Sequence, residues 1–342
     1  MFAVVALSSG CGGHAGLQAP DVDGGTQGTT VVAPDAGPDA ALDAPSDAEP
    51  DAASDAPAEG LRAVWSSSSS DVWAVGAEGT ILHYDGESWV PFASGTSENL
   101  TGVSGTGPGD AWVTGDNGSV LHWDGTGWSL AQSAPGVALL AVWATTSTDV
   151  WAVGVDYSGG SLGDGSGFVT HWDGTEWQTS DVDDAVSLWA VWASGADDVW
   201  MVGDDNHNDG VIVRGAGTPA NPFNQATFTG PELRSIWGAG TADVWLSPYQ
   251  GVLQHWDGAS WTPAPSLPDG GEFFSVAGTA TNDVWAVGVG GAAFHYDGST
   301  WSSQPTGTTD LLASVWADAP GDAWAVGANG VIVRWDGTAW TK

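Results

Sequence analysis

Asp71-Val72-Trp73-Ala74-Val75-Gly76 returns six more times along the chain with the same neighbours. Its tryptophan recurs at Trp112, Trp151, Trp200, Trp245, Trp285 and Trp324. Each stands two positions after an aspartate: Asp71, Asp110, Asp149, Asp198, Asp243, Asp283 and Asp322. Successive aspartates are 39, 39, 49, 45, 40 and 39 residues apart. A period near forty residues over most of a chain is a repeat architecture, in which each unit buries its faces against its neighbours.

Working outward from the tryptophan, each repeat holds four short apolar runs. In the first these are strand a (Leu61 to Trp65), strand b (Val72 to Val75), strand c (Thr80 to Tyr84) and strand d (Ser88 to Phe92). Between c and d stands Asp85-Gly86, a strong hairpin signal. It returns as Asp124-Gly125, Asp173-Gly174, Asp257-Gly258, Asp297-Gly298 and Asp336-Gly337, each with a tryptophan three residues after the glycine. The fourth repeat reads Arg214-Gly215 instead. Repeats open near residues 61, 101, 141, 190, 234, 275 and 313, which makes seven.

Strand b favours a ring over a linear stack. Val72 and Ala74 face one side, Trp73 and Val75 the other, and both sides are apolar. A sheet covered on both faces by neighbouring sheets is a propeller blade, and closure removes exposed ends. The expectation is an all-β, seven-bladed β-propeller over 61–342, with four antiparallel strands per blade. The seven central tryptophans should fill the wedges between blades. Because the last repeat ends on its own strand d (Ala339 to Thr341), the first and last blades should each be contiguous.

The recurrent Asp-Gly-x-x-Trp hairpin after a Trp-rich strand resembles the Asp-box (BNR) propellers. The whole domain is similar to the tryptophan-rich repeat propellers of bacterial surface lipoproteins. That resemblance implies the fold; such repeats serve sialidases, lectins and non-enzymes alike, so function has to be read from a site.

The chain of 342 residues has 51 Gly and 23 Trp, and its 42 acidic groups against five basic ones give a formal charge of -37. With no basic patch to neutralise phosphates, nucleic acid is not an expected partner. Many aspartates fall in turns, where their side chains bond nearby amides. Residues 1–11, MFAVVALSSGC, end an apolar stretch on the only cysteine, Cys11, and read as the remnant of a lipoprotein signal with the lipid on that thiol. Residues 12–60 include APDAGPDAALDAPSDAEPDAASDAPAEG, from Ala33 to Gly60, which has no aromatic and no base. It should be an extended, self-repelling tether. An exported, cell-surface or outer-membrane monomer is the expectation.

Five histidines, His83, His122, His171, His255 and His295, occupy the same point of strand c in different repeats, with Arg214 and Arg334 in the other two. Spread around a ring, they cannot meet at one ion and read as scaffolding. Sialidase chemistry needs convergent arginines, yet Arg62 and Arg234 fall on strands a and Arg214 and Arg334 on strands c, which does not point to convergence.

The places that break the repeat carry the site hypothesis. Extra residues fall between b and c in repeats three (Asp156 to Gly167) and four (Asp204 to Asp209). Others fall between d and a after them (Ser180 to Leu188, Pro219 to Leu233). In a propeller those connections emerge on one face, and loops on a rigid scaffold are where binding residues sit. A ligand site over blades three to five is expected, lined by Tyr157, Asp181, Asp183, Asp184, Asp204, Asp205, His207, Asp209 and Tyr249. Within it Asp205-Asn206-His207-Asn208-Asp209-Gly210 reads as the first part of a calcium loop, with Asp205 and Asp209 as ligands. No nucleophile elbow, P-loop or zincin motif is present. The residues leave three readings open: a non-catalytic module binding a glycan or a protein, a propeller hydrolase or lyase in which an acid and base such as Asp164 and Asp205 converge, and a structural envelope component.

Overall fold

The computed structural model describes residues 60–158, 166–182, 187–205, 207–218, 220–264, 267 and 272–342. Cys11 and the expected tether lie outside the described residues, as do Asp164, Asp183 and Asp184. Seven four-stranded antiparallel sheets follow one another, each in the order a-b-c-d. Strands a are Leu61–Ser68, Leu100–Gly107, Val137–Thr146, Ser187–Gly195, Leu233–Gly240, Phe273–Ala280 and Leu312–Ala319. Strand a of each blade packs on strand a of the next and that of the last blade on the first, so the sheets close into a seven-bladed β-propeller. All seven sheets are contiguous in sequence, and no strand is shared across the closure.

The central tryptophans lie between blades, as the doubly apolar strand b requires. Trp73 packs against Trp123 and Trp128 of blade two, Trp112 against Trp172 and Trp177 of blade three, and Trp285 against Trp335 and Trp340 of blade seven. Trp324 closes the ring on Tyr84 and Trp89 of blade one, with edge and tilted geometries that suit aromatic quadrupoles. Inner hydroxyls stitch neighbouring strands a together. Ser235, Ser275 and Ser314 accept from the amides of Val276, Val315 and Val64, the last bond spanning the closure at 3.3 Å.

The Asp-Gly hairpins form with a four-residue loop. In blade one the last pair is Tyr84 with Trp89, and Asp85 Oδ1 accepts from the amides of Glu87 and Ser88 at 2.9 Å. Gly86 takes φ +97°, a conformation glycine supplies without steric cost.

One expectation is overturned. The extra residues of blade four after Gly215 are not all a d-to-a connection, because strand d is Asn224–Pro231 and Glu232 alone links it to strand a at Leu233. The stretch from Ala216 to Phe223 is a long c-to-d hairpin, closed by a Thr218–Asn221 bridge. It emerges on the opposite face, so the irregular loops are not confined to one face. Without an Asp-Gly pair to close the turn early, strand d starts later in this repeat.

Candidate functional site

Each blade carries one polar network at the a-to-b end. In blade one Ser67 donates its hydroxyl to one oxygen of Asp71, His83 Nε2 lies 2.6 Å from the other, and the imidazole stacks on Trp73 at 4.2 Å. The pairs His122–Asp110, His171–Asp149, His255–Asp243 and His295–Asp283 repeat it at 2.6–2.8 Å. Arg214 pairs with Asp198 and Arg334 with Asp322, their guanidinium groups lying 4.1 and 5.0 Å over Trp200 and Trp324. These groups are one set per blade, as the spacing implied. The hydroxyl binds the carboxylate and not the imidazole, so this is not the nucleophile-base contact that acyl transfer needs.

A different column of strand a builds the cavity. Every strand a carries a fully buried leucine or phenylalanine within its first three residues (Leu61, Leu100, Leu139, Leu188, Leu233, Phe273, Leu312). In every blade the register with strand b shifts just after it. The unpaired residues are Arg62, Thr101, Leu140, Trp189, Arg234, Phe274 and Ala313, and all seven line one cavity of about 280 Å³ in the central channel. A bulge lets a strand re-aim a single side chain. Here seven bulges turn seven side chains of six kinds inward around one mouth. The floor is formed by Trp143 and Trp316, whose rings meet 5.9 Å apart from blades three and seven. The result is a blind cup that opens at the b-to-c and d-to-a face.

Arg62 and Arg234, expected to be dispersed, thus converge on one cavity. Arg62 is exposed and has no ion-pair partner among the described residues. Arg234 is fixed. Its Nε donates to Glu232 Oε1 at 2.9 Å and its Nη2 donates to the same oxygen. Its guanidinium lies 3.9 Å over Trp189 and 5.1 Å from the Tyr249 ring. Cation-π contacts with the two rings hold the guanidinium, which keeps donors uncommitted among the described residues. Trp189 Nε1 donates to Asp204 at 2.5 Å, and Tyr249 meets Phe274 edge-on at 6.3 Å. Trp189, Arg234, Tyr249 and Phe274 form a continuous arc over blades four to six.

Of the residues expected from sequence, Asp204 and Tyr249 belong to this arc. Tyr157 stands close by, 39% exposed. Burial raises the Tyr157 phenol above its ordinary value, with the charges of Asp204 and Asp116 adding. Burial raises the Asp204 carboxyl; Trp189 and Arg234 oppose this, and Glu232 and Asp205 add to it. Asp205 is a turn former whose Oδ1 accepts from the amides of His207 and Asp209 at 2.7 and 3.0 Å. His207 projects into solvent, 81% exposed, and Asp209 is exposed. Asp181 ends strand d of blade three, opposite Phe168. Among the described residues no three such groups come together to hold a metal ion, and Asp205 spends its oxygen on its own loop. The mouth residues Arg62, Trp189, Arg234 and Phe274 were missed, although the repeats aligned on themselves (LRAVW, LTGVS, LLAVW, LWAVW, LRSIW, FFSVA, LASVW) show the second column as the most variable of strand a.

No family model and no curated protein matches this chain. Solved structures share the fold. The structure described as YCF48 bound to D1 peptide is 18% identical, with a TM-score of 0.63 over 81% of this chain and 93% of that one. YCF48 from Cyanidioschyzon merolae is 20% identical, with a TM-score of 0.62 over 81% and 96%. The WD40 propeller domain of Doa1 is 11% identical, with a TM-score of 0.60 over 83% and 93%. At these identities the likeness is one of fold.

Proposed function

We propose that this chain is a non-catalytic binding propeller whose cup seats an anionic group of a protein partner. The observation that carries this reading is the convergence of an unpaired Arg62 and a pre-set Arg234 on one blind cavity, in a chain that is otherwise strongly acidic. Guanidinium groups with free donors are suited to carboxylates, and a fixed one loses little entropy on binding. The aromatic side chains beside Arg234 add apolar surface for the residue that carries the charge. A propeller of this arrangement is recorded with a peptide bound, which supports a protein segment as the ligand class. The half-exposed Tyr157 beside the mouth favours a second reading, a glycan whose ring stacks on it.

Selection of phage-displayed random peptides against the full chain tests the first reading. Enriched peptides should carry a common Asp, Glu or terminal carboxylate, and Arg62→Gln should weaken them on the order of tenfold, the scale of one charged hydrogen bond. Equal binding to the variant would sink the anion contact. Binding on a glycan array without peptide enrichment would put the glycan in its place.

We propose further that the propeller is displayed at the cell surface through a lipid on Cys11, with 12–60 as spacer. The apolar stretch ending on Cys11 and the acidic composition after it support this. Metabolic palmitate labelling should mark the native protein and not Cys11→Ser, which should leave the membrane fraction.

A further inference from the structure

The fifth column of strand a, counted from its buried leucine or phenylalanine, obeys a packing rule. Trp65, Trp192 and Trp237 are buried. Each lies over a glycine of the following blade: Gly105, Gly238 and Gly278. An added Cβ there would stand 2.7, 2.7 and 2.9 Å from the indole, and 2.4, 2.9 and 2.3 Å from the carbonyl oxygens of Asp110, Asp243 and Asp283 in its own blade. Those indoles therefore occupy space that only glycine leaves open. In blades four and one the sixth column, where these glycines stand, holds Ala193 and Ser66. The tryptophans that precede these, Trp143 and Trp316, are only half-buried; they line the channel and meet across it. The two blades without a tryptophan, at Ser104 and Ala277, face Ala144 and Ala317. All seven blades fit.

We propose that Trp143 and Trp316 are the specificity floor of the cup, held in the channel because Ala193 and Ser66 deny them a wedge between blades. The cup then takes one side chain or one chain end with its anionic group, stopped at the indoles, and refuses a strand that runs through the channel. The ligand half of this inference rests on the binding role proposed above; the indole half does not.

The Ala193→Gly and Ser66→Gly variants, singly and together, test both halves. In a crystal structure of Ala193→Gly, Trp143 should swing into the wedge beside residue 193. The circular-dichroism difference between Ala193→Gly and wild type should match that of Trp143→Phe, since both remove the coupling of two indoles across the channel. Ala144→Gly, which follows a blade without tryptophan, should leave that coupling intact. Trp143 still lying in the channel of Ala193→Gly would overturn the rule. For ligands, the probes are peptides selected on wild type and the same peptides lengthened by one Trp beyond the anionic end. Wild type should bind the lengthened forms at least about tenfold more weakly, and the double variant should bind both within about threefold. Retracted indoles with the lengthened peptides still refused would overturn the floor's role in selection, leaving the packing rule intact. No binding of any peptide to wild type would sink the binding role and the specificity floor with it, while the indole positions still judge the packing rule.

Discussion

A carboxylate that receives a hydroxyl on one oxygen and an imidazole on the other is satisfied twice, which makes the departures informative: blade five has Ala239 at the hydroxyl position, and blade seven has a second carboxylate. Blade seven has Asp318 where other blades have Ser67, Thr106, Thr145, Ser194 or Thr279. Two carboxylates then adjoin, and Arg334 forks onto both oxygens of Asp322 in place of the missing hydroxyl. Asp318 Oδ1 is buried without a partner. Burial raises its pKa, and the Asp322 charge adds to the rise. Asp318→Thr, which restores the repeat, should therefore stabilise the propeller at neutral pH by about 1 kcal/mol, the worth of one hydrogen bond. In a domain of this size that is a melting temperature higher by roughly 2–4 °C. An acid whose folded pKa is raised costs stability above that pKa and costs nothing below its unfolded value. The gain should thus fade as pH falls towards 3.8, and its charge-dependent part should be gone below that. A gain that is constant with pH would mean charge plays no part. At this scale the scaffold was legible because seven copies average out local accident. The mouth was not, because alternation along a regular strand gives no sign of a bulge, and Arg62 and Arg234 read simply as two strand residues.

Hairpins show how far a local signal reaches. Six Asp-Gly pairs mark six c-to-d turns, since one residue supplies the acceptor for two amides and the next supplies the positive φ. The fourth repeat has the glycine without the aspartate, and there sequence reading misplaced strand d and with it the face of the loop. Polar residues such as Asn224 and Gln225 carry no strand signature of their own; they pair because strand c is already in place. The same geometry separates two glycines of equal φ. Gly125 at +88° has its nearest neighbour, Gly109 Cα, at 3.4 Å from an added Cβ, whereas Gly298 at +90° would meet Asn282 Cβ at 2.7 Å. Gly125→Ala should cost about 1 kcal/mol from backbone strain alone, and Gly298→Ala more. Urea titration of both variants checks the order, and equal losses would mean the neighbour yields freely.

Across the whole molecule, ring closure and net charge pull in opposite directions. The period fixed the number of blades, and the doubly apolar strand b required closure, which the contact of Trp324 with Tyr84 and Trp89 supplies. Ten of the 42 acidic groups precede residue 60, so the ring itself carries a formal charge of -27, which favours expansion through a repulsion that is long-ranged and screened by salt. The network and hairpin aspartates act at short range instead. Burial works against Asp71, Asp110, Asp149 and Asp283, yet bonds from His and hydroxyl groups hold their carboxyls below the ordinary value. Hydroxyl and amide donors take the exposed Asp173 and Asp336 to about 2. A depressed folded pKa contributes stability above the unfolded value of 3.8 that is lost as pH falls towards 2. The two effects make opposite predictions for acid, because protonation relieves repulsion and also removes the bonds. At pH 7 the melting temperature should rise between about 10 mM and 0.5 M NaCl as the Debye length shrinks from about 30 Å to under 8 Å. Between pH 4 and 2 it should fall at any salt, since the hydrogen-bonded contacts are short-ranged and lie within single blades. A melting temperature that climbs steadily down to pH 2 would show that repulsion, and not the aspartate network, governs this ring in acid.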